Sequence, residues 1–144
     1  MEPVFFEQVL DALTGAIPSS LGPWQSSVHR GGVKVWFDEP HKVHYEAQLV
    51  RRDGTLAVEI GFHAEHPKVA LNQAALVPLA AAEKTWRRAL GSEPVIGEFL
   101  GRSTWRRVSE DWVDPQLDEF DFCIEVAARL AEYIEALEPL RRQK

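Results

Sequence analysis

From Lys42 to Glu65 the chain alternates apolar and polar residues, broken once by Arg51-Arg52-Asp53-Gly54-Thr55. Asp-Gly between two alternating runs predicts a type I′ hairpin turn, which needs positive φ at both central residues. With Asp53 and Gly54 as the loop, Arg52 faces Thr55. Counting outward then pairs Gln48 with Glu59, Glu46 with Gly61, His44 with His63, and Lys42 with Glu65. Strand side chains point to alternate faces. One face therefore carries Tyr45, Ala47, Leu49, Leu56, Val58, Ile60, Phe62 and Ala64, and the other Lys42, His44, Glu46, Gln48, Glu59, His63 and Glu65. A slip of one residue would drive charges into the core, so the apolar set fixes the register. Gly61, opposite Glu46, leaves room on the polar face.

The flanking segments follow the same patterning. Phe6, Val9, Leu10 and Leu13 recur at helical spacing and predict a helix over 3–14, opened by Pro3 and ended by Gly15. Ile17–Gly22 reads as loop. Val33, Val35 and Phe37 alternate with Lys34 and Trp36, a strand that Gly31-Gly32 could fold back onto Ser26–His29 as an added edge strand. Asp38–His41 is a turn. Residues 69–90 are helical, kinked or divided by Pro78 near Val77 and capped by Gly91. Val95–Leu100 and Thr104–Glu110 predict a second hairpin about Gly101-Arg102-Ser103. Asp114 as N-cap and Pro115 at the first helical position predict a last helix with an apolar stripe of Phe120, Cys123, Ile124, Ala127, Leu130, Ala131, Ile134 and Leu137. Pro139 closes it, and Arg141–Lys144 is a frayed basic tail.

The predicted fold is one α+β domain over 1–144, in the order α-β-β-β-α-β-β-α. About five antiparallel strands form a sheet, with three helices packed mainly on one face. In element order alone this resembles the small secretion-chaperone-like α+β folds, a likeness from which no function follows.

The 144 residues, 45% hydrophobic and 26% charged, suit an ordinary globular domain. A net charge of −6 argues against general nucleic-acid affinity and against an anionic membrane surface. The start lacks the basic and apolar regions of a signal peptide, no run is long enough to span a membrane, and Cys123 is the single cysteine. A reducing cytoplasm is the expected compartment. Cys123 itself falls on the last helix's apolar stripe, where a small hydrophobe is expected rather than a nucleophile.

Candidate chemistry gathers on the polar hairpin face. Cross-strand His44 and His63, with Glu46 and Glu59 a diagonal step away, could hold a divalent metal such as zinc or supply a general acid and base. No other cofactor is predicted. The plainer expectation is an open, solvated face of mixed charge with Lys42 paired to Glu65. With Val33 and Val35 inward, Trp36 joins that face and could form a wall for a partner. The favoured reading is a non-catalytic protein that binds a peptide, a protein or a second copy of itself, through Trp36, His44, Glu46, Gln48, Glu59 and His63. The alternative is a metal-dependent, nuclease-like hydrolase using His44, His63, Glu46 and Glu59, although no strand lysine follows Glu59 and Lys42 is poorly placed to replace it. A weaker alternative places phosphate or single-stranded nucleic acid on Arg102, Trp105, Arg106 and Arg107, with Arg87 and Arg88 nearby. His41 and His66 are expected in exposed turns.

Overall fold

The computed structural model describes residues 2–99 and 102–143. Helix α1 (Glu2–Thr14) and one 3-10 turn (Ser19–Leu21) lead into four successive strands: β1 (Gln25–His29), β2 (Gly32–Trp36), β3 (Val43–Arg52) and β4 (Thr55–Ala64). Helices α2 (Val69–Ala81) and α3 (Glu83–Leu90), strands β5 (Val95–Phe99) and β6 (Arg102–Val113), and helix α4 (Phe120–Arg141) complete the chain. The strands form one antiparallel sheet in the order β1-β2-β3-β4-β6-β5.

The α+β class and the antiparallel sheet stand, with changed counts. Among the described residues there are six strands instead of about five and four helices instead of three, in the order α-β-β-β-β-α-α-β-β-α. The added strand is the edge segment Gln25–His29, which turns back on β2 through Arg30-Gly31. The extra helix arises because the 69–90 stretch divides at Ala82, four residues beyond Pro78. Pro78 stays inside α2, and the Leu79 carbonyl left near the break accepts the Trp86 indole N–H at 2.7 Å.

The central hairpin forms in the predicted register residue for residue, with Asp53 at φ 54° and Gly54 at φ 78°. The second hairpin also forms, but β6 runs on to Val113 and pairs along β4, so it lies between β4 and β5. Leu100 and Gly101, expected at its turn, lie outside the described residues, as do Lys144 and the side chain of Arg102.

The last helix begins later than its capping signal implies. Asp114 adopts φ 53° in a turn, and Glu119, in extended conformation, precedes the first helical residue. The chain leaves β6 in the plane of the sheet and uses 114–119 to reach the helix layer. The buried stripe is also rotated from the predicted one. Phe120 and Ile124 are 72% and 46% exposed, while Val126 and Tyr133 are buried alongside Cys123, Ala127, Leu130, Ala131, Ile134 and Leu137. Tyr133 holds that rotation by donating to Glu110 at 2.6 Å. Pro139 lies within the helix rather than ending it. The expected frayed tail is anchored: Arg141 and Arg142 donate to buried Glu138 at 2.6 and 3.0 Å and lie over Phe62 and Phe37.

The helices pack on the Tyr45 and Phe62 face, where Phe6, Val9 and Leu13 of α1 and the buried stripe of α4 close the core. Tyr45 bridges the layers by donating to Glu138 at 2.8 Å.

Candidate metal centre

The opposite face is not the solvated surface expected for it. His44, Glu46, Glu59 and His63 are buried to 2% exposure or less, and Arg107 and Ser109 of β6 are buried beside them. Two causes combine. The polar side chains lean together and cover one another, and aromatic side chains shield them at the rim. The Phe99 ring packs edge-on against His63, with centroids 4.7 Å apart, and Trp105 packs against Phe99.

The ladder places His44 directly opposite His63, so the segments His44-Tyr45-Glu46 and His63-Ala64-Glu65 run past each other in opposite directions. Around the local two-fold of that antiparallel pair, each histidine meets both glutamates. His44 Nε2 lies 3.1 Å from Glu46 Oε1 and 3.6 Å from Glu65 Oε2, and His63 Nδ1 lies 3.0 Å from Glu46 Oε1 and 3.2 Å from Glu65 Oε2. One donor atom from each of the four residues lies within 4.8 Å of every other.

The remaining ring nitrogens are also engaged. His44 Nδ1 donates to the His41 carbonyl at 2.9 Å, and His63 Nε2 donates to Glu59 Oε2 at 2.9 Å. Glu59 is fixed in turn by Ser109 Oγ at 2.6 Å, Gln48 Nε2 at 2.8 Å and Arg107 Nη1 at 3.5 Å. Glu59, expected as a ligand, thus sits behind His63, and Glu65 takes the fourth place. The sequence did carry a signal for Glu65. It shares the polar face with His63, and the His-x-Glu triplet occurs once on each strand.

Without a cation, protons must balance the carboxylates. Burial works against the charge of His63, but Glu59, Glu46 and Glu65 outweigh it and hold its pKa well above 6.5. His44 is likewise raised, because its bonds to Glu46 and Glu65 outweigh burial and the neighbouring imidazole. Burial alone would lift Glu46 and Glu59, yet the histidines, joined at Glu59 by Ser109 and Gln48, hold both carboxyls at about 2, and Glu65 is lowered too. Two imidazolium protons and one divalent ion carry the same charge. The cluster can therefore exchange one for the other without unbalancing a buried site.

The other candidates are dispersed. Trp36 is mostly covered; its indole N–H donates to Glu39 at 3.2 Å and its ring packs on His41. Arg106 and Arg107, as sequence neighbours on a strand, point to opposite faces. Arg106 donates to the Ser103 and Trp105 carbonyls, whereas Arg107 is buried beside Glu59 and Ser109. The backbone of His66 pairs with Asn72. Cys123 is buried, and its thiol donates to the Phe120 carbonyl. Among the described residues no helix is long and apolar enough to cross a membrane.

No protein-family model, curated protein or solved structure matches the chain.

Proposed function

We propose that the protein binds one divalent transition-metal ion, zinc foremost, through His44 Nε2, Glu46 Oε1, His63 Nδ1 and Glu65 Oε2, and that it acts by holding that ion rather than by catalysis. The observation that carries this reading is the spacing of the four donors. Zinc–nitrogen and zinc–oxygen bonds of about 2.0–2.1 Å give a tetrahedron with edges of about 3.3 Å. Four of the six donor–donor separations, the His–Glu ones, run from 3.0 to 3.6 Å, and all six are within 4.8 Å. The acceptors behind His44 and His63 add support, since such partners set the tautomer and orient a ligating ring. Two imidazoles with two carboxylates favour zinc and its neighbours over magnesium or calcium, which prefer all-oxygen shells.

The non-catalytic part of the reading rests on closure. Catalytic zinc sites keep a position for water, whereas four protein donors fill a tetrahedral shell. A hydrolase built on Glu59 as a ligand would have to draw that carboxylate away from His63, Ser109 and Gln48. A protein or peptide partner, or a second copy, would meet the rim of this face rather than the buried cluster.

The test is metal analysis and cobalt substitution of the purified protein. The expected result is close to one zinc per chain, intense tetrahedral cobalt(II) absorption, and loss of both in His63→Ala and Glu65→Gln. Free zinc at a hundredfold excess over Kd should add about 2.7 kcal/mol of stability. A wild-type protein that retains no zinc and melts identically with and without added zinc overturns the reading.

A further inference from the structure

We propose that His29 and the outer oxygen of Glu46 form a loading position through which the cation reaches the buried tetrad; this rests on reading the cluster as a cation site. Glu46 presents its two oxygens to two places. Oε1 faces inward, 3.1 Å from His44 Nε2 and 3.0 Å from His63 Nδ1. Oε2 faces outward, 3.4 Å from His29 Nε2. That outer separation is again the edge of a coordination shell with bonds of about 2.0–2.1 Å.

Access separates the two places. The side chains of His44, His63 and Glu46 are 1%, 0% and 3% exposed and that of Glu65 is 12% exposed, whereas that of His29 is 43% exposed. A hydrated ion therefore meets His29 first. The position of His29 is set by β1, which pairs it with Gly32 at the tip of the edge hairpin. Gly32 packs so closely on β3 that an added Cβ would lie 2.7 Å from the Ala47 carbonyl oxygen, and it places no side chain between His29 and the cluster.

Loading is then a sequence of ligand exchanges. The ion gives up two waters for His29 Nε2 and Glu46 Oε2. Glu46 next shifts its coordination from Oε2 to Oε1. His29 is released as His44 and His63 give up their two imidazolium protons to solvent and, with Glu65, displace the remaining waters. His29 is absent from the final shell and touches it only through Glu46 Oε2, so its ligating nitrogen governs rates, while any hydrogen bond to Glu46 is kept by glutamine.

The experiment follows zinc transfer between a chromophoric chelator and the full-length protein by stopped flow, with affinity measured in parallel, for wild type, His29→Ala and His29→Gln. Both variants are expected to load about tenfold more slowly, a barrier higher by about 1.4 kcal/mol. In His29→Gln, which keeps a hydrogen bond to Glu46, release slows by the same factor, so the affinity is unchanged. Wild-type rates in His29→Ala overturn the proposal. So does a large loss of affinity in His29→Gln, which would make His29 a ligand of the held ion. Normal rates in His29→Gln alone also overturn it, because glutamine keeps a hydrogen bond to Glu46 but is a poor zinc ligand. A wild type that takes up no zinc removes the reading of the cluster itself, and the loading position falls with it.

Discussion

Glu59 and His63 lie four residues apart on one strand, yet His63 Nε2 and Glu59 Oε2 are only 2.9 Å from each other. Four residues of regular strand span about 13 Å, so the two side chains must lean together over the residue between their neighbours. That residue is Gly61, at φ 155°, and a Cβ there would overlap the Val108 carbonyl and Ser109 of β6. The close approach of β4 to β6 at Gly61 brings Ser109 to Glu59 and lets Glu59 hold His63.

Gly61→Ala should therefore be costly. Backbone contacts of this kind do not relax easily, and overpacking a tight core costs about 1–3 kcal/mol before the strain of the positive φ is added. Gly97→Ala is the matched control, with φ 147° and nothing within 4 Å of an added Cβ. Urea midpoints should fall much further for Gly61→Ala. Equal losses would show that the approach to β6 is not what the glycine serves.

Glu59→Gln should leave the fold intact but weaken zinc binding by about 10–100-fold, the usual range for a group that orients a metal-bound imidazole. Glu65→Gln, which alters a donor, should weaken it further. Chelator competition ranks the two variants, and the reverse order would return Glu59 to the ion's own shell.

Metal-free protein should be most stable in mildly acidic solution. His63 and His44 have raised pKa values, so the stability they contribute is complete below about 6.5 and is lost as pH climbs through those raised values. Glu46 and Glu59 are lowered from 4.5 to about 2, so their contribution is present above 4.5 and is lost as pH falls towards 2. Urea midpoints in EDTA should peak between these limits. Added zinc should move the peak upward, because the ion takes the place of the imidazole protons. A flat profile in EDTA would mean that these groups bind protons alike in the folded and unfolded states.

Tyr45→Phe should cost only about 1 kcal/mol, the usual value of one hydrogen bond, since Glu138 keeps Arg141 and Arg142. Glu138→Ala should cost more, about 3–5 kcal/mol, because it strips a buried charge from partners that stay behind. Thermal melts compare them directly.

The central hairpin was readable at the level of individual pairs because Asp53-Gly54 allows one turn geometry and the apolar residues allow one register. The state of its polar face was not readable. Alternation separates two faces but does not say how far a sheet bends or what shields its rim, and here the contributions of Gly61, Phe99 and β6 come from packing between distant segments. Trp36 lies on the face that the alternation predicts, yet Glu39 and His41 of the following turn cover it. The capping signal at Asp114-Pro115 was real local chemistry, but the path from β6 to the helix layer overrode it. Glu65 was visible as a member of the polar face, but its apparent partner was Lys42, its backbone neighbour across the ladder.

The four proposed donors all come from a single short hairpin, while Ser109 and Arg107, which steady Glu59 behind them, stand 50 and 48 residues further along the chain. A nascent chain would thus possess the grip before it possessed the brace. Under the proposed reading, zinc affinity would be a gauge of maturation, weak while only the hairpin has formed and at full strength once the late strand β6 has docked.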